Sequence, residues 1–319
     1  MDTIKIDKNI QNHLDTLPKG WVFYLLKSER EELYAGYSAN LKVKLNFLSD
    51  KAQEGGIYKE MWNQAEELSW VTYPQAISAL IHYKCYLTEN SPLYQYQILP
   101  WAEYVYLALD SHRFPFITIQ EHTNDDWLYL GPFRSRFFLV DVLDIYARIL
   151  KLPACETGEY PCEKMKNNLC RGWCLALSEN SETQSEYGSD KLESLLKEAF
   201  LVPENGILEL VQQERKRYFN ELEFNNASLL DDEIDMLSKY REWLKFLISA
   251  KHLEYESDEL QIQKGKITYC RFQNKDYHFP VDTTEFRINE TLALNLDSVD
   301  ESKVVYSFFT EEVRSLNVQ

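Results

Sequence analysis

The stretch "GWVFYLLKSEREELYAGYSANLKVKL", residues 20–45, decides the fold of the N-terminal part of the chain. Val22, Tyr24 and Leu26 alternate with Phe23 and Leu25, a charged turn follows, and Leu33 to Ala35 begin a return strand. Period-two alternation broken by a polar turn predicts a β-hairpin. Asn40 then stands as a cap before Leu41, Leu45 and Leu48, whose spacing predicts a helix over 39–52. "LSWVTYP" (68–74) predicts a third strand. "PQAISALIHYKCYLTENSP" (74–92) predicts a second helix, opened by Pro74 and ended by Asn90 to Pro92. Strand, strand, helix, strand, helix makes a small three-stranded α/β unit.

Beyond it, "EYVYLAL" (103–109), "FPFITIQ" (114–120) and "LYLGPF" (128–133) predict strands, and "RFFLVDVLDIYARIL" (136–150) predicts an apolar helix. "SENSETQSEYGSD" (178–190) has linker composition. Residues 191–252 are almost wholly helical in pattern. A hairpin around "KGK" and "QNKD" follows in 258–280, and a last helix is expected over 300–316. The expected class is α+β, in five consecutive parts: 1–98, 99–177 with a cysteine-rich stretch, the linker 178–190, a helical hairpin over 191–255, and a small C-terminal α/β segment over 256–319.

At 319 residues, with 45% hydrophobic content and only ten Gly and ten Pro, the chain is globular in composition. No apolar run approaches the ~20 residues of a membrane span. The N-terminus "MDTIKIDKNIQNHLD" is polar, so a cytoplasmic location without a membrane partner is expected. The net charge of −17 argues against broad nucleic-acid binding, which needs a basic surface. The acidity is uneven: residues 181–260 hold 9 Lys/Arg against 19 Asp/Glu, whereas residues 1–95 hold 10 against 12. A local basic patch in the first half remains compatible with DNA contact.

Four of the six cysteines fall within "CETGEYPCEKMKNNLCRGWC", residues 155–174. They are Cys155, Cys162, Cys170 and Cys174, in a polar stretch that builds no core of its own. The bland alternative is four small buried residues. A shared metal explains the crowding better. Only Cys170 and Cys174 approach a zinc-knuckle spacing, whereas iron–sulfur clusters accept varied thiolate spacings. An iron–sulfur cluster is therefore expected ahead of zinc.

Taken in order, "LPKGWVFYLL…ELYAGYSANLKVKL…AISALIHYKCYLTENSPLYQ…LYLGPFRS…LPAC…PCEKMKNNLCRGWC" resembles the N-terminal half of the UvrC/Cho excinuclease family. That half carries a GIY-YIG nuclease fold, an F-G-P element and a cysteine cluster. Further on, "NELEFNNASLLDDEIDML" (220–237) is similar to the family's UVR helical hairpin. The tail resembles the UvrC-like half of exonuclease/GIY-YIG fusion proteins. The resemblance covers roughly residues 16–255. It implies DNA repair by nucleotide excision, a 4Fe-4S cluster on the four cysteines, and a UvrB-like helicase as partner.

The resemblance also assigns a cleavage site. In the family a tyrosine from each half of the signature, an arginine on the first helix and a metal-holding glutamate on a later helix line it. Carried over, these positions are Phe23, Tyr34, Lys44 and Tyr83, and the position after Gly36 is Tyr37. A phenyl ring has no hydroxyl to orient water. Lysine lacks the planar fork of arginine. A neutral phenol is a poor ligand for Mg²⁺ or Mn²⁺, so no divalent ion is expected there. Without it, leaving-group charge goes unneutralised and loss of cleavage is expected. Glu89, Glu66 and Glu67 are poorly placed to substitute, Tyr34 is expected to be a packed aromatic, and His82 a helix-surface residue.

Residues 207–246 place Leu210, Val211, Phe219, Leu222, Phe224, Ala227, Leu230, Ile234, Leu237 and Tyr240 as the apolar set of two antiparallel helices. Leu222, Phe224, Ala227, Asp231 and Ile234 are the expected partner surface. Asp231 to Glu233 and "ERKR" (214–217) would orient a docked helix. Three functions follow. The first is a UvrC-like accessory factor with a silent nuclease site that binds DNA, a UvrB-like helicase or both. The second is an active, metal-dependent, structure-specific endodeoxyribonuclease. The third is an iron–sulfur scaffold without a DNA role.

Overall fold

The computed structural model describes residues 1–6, 16–124, 126–152, 163–174, 188–280 and 290–316. The chain is α+β and divides into two units, each discontinuous in sequence. One comprises residues 1–102, 252–282 and 300–319; the other comprises 103–251 and 283–299. Among the described residues no helix is long and apolar enough to cross a membrane.

The first unit contains strands β1 (Asp2–Lys5), β2 (Lys19–Lys27) and β3 (Glu32–Asn40), helices α1 (Leu41–Glu54) and α2 (Gly56–Gln64), strand β4 (Glu67–Tyr73) and helix α3 (Ala76–Glu89). The expected β2–β3 hairpin turns at Ser28, whose N–H donates to the Glu31 carbonyl and whose hydroxyl accepts from the Arg30 and Glu31 N–H groups. Asn40 caps α1 by accepting from the Val43 N–H at 3.1 Å. Leu41, Leu45 and Leu48 are buried, as the helical spacing required. The sheet has four strands rather than three, in the order β1-β4-β2-β3. The added edge, Asp2–Lys5, pairs antiparallel with β4; its polar sequence hides a strand that needs only one buried face.

The second unit contains strands β5 (Val105–Leu109), β6 (Ile117–Gln120) and β7 (Leu128–Phe133), and helices α4 (Arg136–Leu150), α5 (Glu163–Lys166), α6 (Ser189–Leu201), α7 (Ile207–Asn220) and α8 (Phe224–His252). Its core joins Leu107, Leu130, Val142, Phe200, Val211, Leu230, Tyr240 and Leu244. Phe133 stacks on Tyr240 and Tyr146 on Phe200, at ring separations of 5.8 and 4.6 Å. The chain then gives β8 (Tyr255–Glu256), β9 (Leu260–Gln263), β10 (Lys266–Phe272) and β11 (Lys275–His278) to the first unit. Strand β12 (Leu292–Ala293) returns to the second unit, parallel to β7. Helix α9 (Val299–Leu316) follows.

The C-terminal residues therefore do not form the separate segment expected over 256–319. Ile262, Ile267, Cys270, Tyr277, Val304 and Val305 share one buried cluster with Ile77, Leu80 and Cys85 of α3. A two-residue strand and a short β-meander bury too little apolar surface alone; α3 supplies the rest.

Candidate functional site

Strand pairing sets the faces of the β1-β4-β2-β3 sheet. Leu26 faces Tyr34 and Tyr24 faces Gly36, whereas Phe23 faces Tyr37 and Leu25 faces Ala35. Directly paired residues share a face, and neighbours along a strand do not. Tyr24 and Tyr34 thus lie together, with ring centroids 6.3 Å apart, in the cluster that holds Leu41 and Leu45 of α1. Phe23 lies on the opposite face, with Leu25, Ala35 and Tyr83. This corrects the assignment of Phe23 as the partner of Tyr34. Tyr24 is that partner, and it brings the hydroxyl that Phe23 lacks. The resemblance placed the first tyrosine position at Phe23, one residue before Tyr24, and a one-residue slip reverses the face.

Tyr24 is fully buried, and among the described residues its hydroxyl finds no hydrogen-bond partner. Its ring lies directly over Gly36, where an added Cβ would come within 2.5 Å of Tyr24 Cζ and Oη. Only a residue without a side chain fits there. Burial raises the pKa of Tyr24 and Tyr34 well above the ordinary phenol value, with the Tyr83 phenol adding to both. Both are therefore neutral hydroxyls at physiological pH.

Tyr83, the residue the sequence resemblance matches to a metal-holding glutamate, is also held as a neutral phenol. Burial pushes it up to about 12, against the hydrogen bond from Gln95 and with Glu301 adding to the rise. The Gln95 amide donates to the Tyr83 hydroxyl at 3.1 Å, and its carbonyl oxygen accepts from the Ala35 N–H at 2.9 Å. Gln95 is placed by the segment after α3, which runs along the open edge of β3: the Leu93 and Tyr94 N–H groups donate to the Glu32 and Leu33 carbonyls. Tyr83 also packs against Tyr37, with rings 5.2 Å apart, in the cluster formed with β10 and α9.

Burial lowers the pKa of Lys44, and the Asp300 carboxylate opposes that shift. Two acidic groups thus act on the site from the first turn of α9, Asp300 on Lys44 and Glu301 on Tyr83. Glu301 is already engaged: its carboxylate takes the Lys84 ammonium at 2.6 Å and the Ile267 N–H at 2.8 Å. Sequence reasoning missed Tyr24, Gln95, Asp300 and Glu301. The acidic start of "DESKVVYSFF" signals a helix N-terminus, but its placement beside α3 is a tertiary fact. Glu89 is directed elsewhere, to Lys275 and Tyr277.

His82 is not a surface residue. Its ring lies 4.0 Å from Phe23 and 5.1 Å from Phe272, and Nδ1 is 2.7 Å from the Tyr73 hydroxyl. Burial lowers its pKa to about 4, so the imidazole is neutral.

Of the four clustered cysteines, Cys155 and Cys162 lie outside the described residues. Cys170 and Cys174 are half-buried, and Cys170 Sγ accepts from the Gly172 N–H at 3.2 Å. A sulfur that already accepts a backbone N–H, as this one does, is a suitable thiolate donor. Among the described residues alone, no three potential ligands converge.

In the helical hairpin, α7 and α8 are joined by a short turn in which Leu222 adopts φ = 62°. Leu222 is 73% exposed and Phe224 53%. Phe219 and Leu229 are exposed beside them in sequence, and the Phe219 and Phe224 rings meet edge to face at 5.4 Å. Ala227 is buried, and Ile234 packs against the core of its own unit. Asp231 accepts from Arg215 at 2.9 and 3.2 Å, and Arg148 binds Glu214 and Glu233. Ala227 and Ile234 therefore pack within the hairpin's own unit, turned inward by helix periodicity, whereas Asp231 keeps a side chain 53% exposed and meets Arg215 at the surface. Leu222 and Phe224 are the exposed pair at the tip.

The chain is similar to several proteins named UvrABC system protein C. That of Salinibacter ruber is 23% identical over 94% of this chain and 49% of its own length. That of Chlorobaculum tepidum is 24% identical over 81% and 42%, and that of Christiangramia forsetii 22% over 73% and 40%. The chain spans half or less of the length of these relatives. No family model and no solved structure matches it.

Proposed function

We propose that this chain, which is UvrC-like, acts in nucleotide excision repair as an accessory factor that contacts DNA and a UvrB-like helicase without cutting at its own GIY-YIG-type site. The observation that carries the proposal is Tyr83. Where the family needs a carboxylate for a divalent ion, this chain has a phenol held neutral, hydrogen-bonded to Gln95 and packed on Tyr37. Neutral phenols do not supply the hard anionic oxygen that Mg²⁺ selects. The exposed tip residues Leu222 and Phe224 would meet the partner's hairpin, an apolar anchor of the kind that dominates small interfaces. Cys155, Cys162, Cys170 and Cys174 would hold a 4Fe-4S cluster, with zinc as the second choice. Such a group, when bound, would pin a loop that has little core of its own.

The retained hydroxyls of Tyr24 and Tyr34 and the Lys44 ammonium favour a second reading, an active structure-specific endonuclease whose metal is held from elsewhere. One experiment separates them. The purified chain is incubated with end-labelled damaged or branched duplex in Mg²⁺ or Mn²⁺, with and without a UvrB-like helicase. The accessory reading expects complex formation and no nick. Nicking that disappears in Tyr34→Phe overturns it in favour of the second. Failure to bind either DNA or helicase removes both and leaves the iron–sulfur scaffold.

A further inference from the structure

Two cysteines play no part in the site above. Cys85, on α3, and Cys270, on β10, are 185 residues apart in sequence, yet their Sγ atoms lie 3.5 Å apart. Both are free thiols, 2% and 0% exposed. Their surroundings are apolar: Ile77, Leu80, Ile262, Ile267, Tyr277 and Val305 belong to the same cluster. A disulfide needs its sulfurs about 2 Å apart, so side-chain adjustment of roughly 1.5 Å closes the bond.

We propose that Cys85 and Cys270 form a reversible redox site, oxidised by a small peroxide to a disulfide that fastens the C-terminal meander to α3. Hydrogen bonding to Cys85 lowers the pKa of Cys270, with burial opposing and the Lys84 ammonium helping, and Cys270 is taken as the attacking sulfur. Its thiolate attacks one peroxide oxygen, the O–O bond breaks, and the departing hydroxide takes a proton to leave as water. The Cys270 sulfenic acid that remains is attacked by Cys85 sulfur; the S–O bond breaks, and a second water carries away the Cys85 proton. In sum, two thiols and one hydrogen peroxide give one disulfide and two waters. A dithiol reductant reverses the change by exchange.

The consequence is local. Cys85 lies two residues after Tyr83, and the ring of Phe272, two residues after Cys270, packs at a tilt against His82. Oxidation would tie the meander that covers Tyr37, His82 and Tyr83 to the helix beneath it. This inference does not depend on whether the site cuts DNA.

The native full-length chain is treated with hydrogen peroxide, excess oxidant is removed, thiols are blocked with N-ethylmaleimide in denaturant, and non-reduced peptides are mapped by mass spectrometry. The expected result is a linked peptide pair containing Cys85 and Cys270, dissolved by dithiothreitol and absent from Cys85→Ala. Its yield should exceed that of chain oxidised in guanidinium by at least ~10-fold, because only the fold holds the thiols together. Cys270→Val repeats the control should Cys85→Ala fail to fold. Full maleimide labelling of both cysteines under peroxide that oxidises Cys170 or Cys174 overturns the proposal, as does a yield no higher than in guanidinium.

Discussion

Replacing Tyr24 by Phe should stabilise the protein, against the general trend for substitutions in a core. The Tyr24 side chain is fully buried, and its hydroxyl has no partner among the described residues. Leaving a buried hydroxyl unsatisfied costs ~1–3 kcal/mol relative to an apolar group of the same shape. Phe keeps the ring over Gly36 and the contact with Tyr34. The gain should therefore be about 1–2 kcal/mol, allowing for relaxation. A unit of this size converts that into a rise of ~2–8 °C in Tm, read by calorimetry or near-ultraviolet circular dichroism. The complementary change, Gly36→Ala, places Cβ 2.5 Å from Tyr24 Cζ and Oη, and should destabilise by ~1–3 kcal/mol through overpacking. Because the phenolic oxygen is one of the two closest atoms, Gly36→Ala should cost less in the Tyr24→Phe background. Loss of more than ~1 kcal/mol in Tyr24→Phe would refute the reasoning, since it would mean that the hydroxyl has a satisfied partner such as an internal water.

Three further outcomes are expected. Leu222→Gly removes a side chain from a left-handed position that costs an ordinary residue ~1–2 kcal/mol, so thermal stability should hold or rise while capture of a UvrB-like helicase is lost; Phe224→Asp should lose capture alone, by surface plasmon resonance. Burial of His82 lowers its pKa to about 4. Above the ordinary histidine value both folded and unfolded imidazoles are neutral. Below it the unfolded chain takes up a proton that the folded one refuses, so stability falls as pH drops from ~6.5 toward 4, and His82→Phe should flatten that part of the Tm profile. Anaerobically purified chain should show broad visible absorbance from thiolate-bound iron, lost in Cys170→Ser; colourless chain containing zinc would select the second metal.

Local signals carried much of the fold. The Asn40 cap, the 41/45/48 leucine spacing and the alternation of 22–26 each depend on residues within a few positions, and each element formed where those residues place it. The site was less legible because its geometry depends on pairing. Whether Phe23 or Tyr24 shares a face with Tyr34 turns on the length of the Ser28 turn, which fixes the register. Similarly, the UVR-like pattern marks Leu222 to Ile234 as one motif, but helix geometry separates it into an exposed tip and a buried stripe. Long-range features left no sequence signal at all: Cys85 and Cys270 are ordinary isolated cysteines until the meander docks on α3.

The docking of α9 on α3 turns on one carboxylate. Glu301 holds the Lys84 ammonium at 2.6 Å and the Ile267 N–H at 2.8 Å, and the side chains of the ion pair are only 13% and 14% exposed. Glu301→Ala leaves an ammonium and a backbone N–H without their acceptor at a site largely closed to water. Breaking a buried pair from one side costs ~3–5 kcal/mol; partial exposure and the Lys84–Phe279 ring contact at 4.6 Å bring the expectation to ~2–3 kcal/mol. Glu301→Gln should cost less, because the amide oxygen still accepts from Ile267. Both variants should loosen the cover over Tyr83, read as faster amide exchange in 266–272 and around Tyr83 while exchange in β5 and β7 is unchanged. Equal exchange in the variant and the parent would mean that α9 is held by Val304, Val305 and Phe308 alone. The ion pair would then orient the helix without anchoring it.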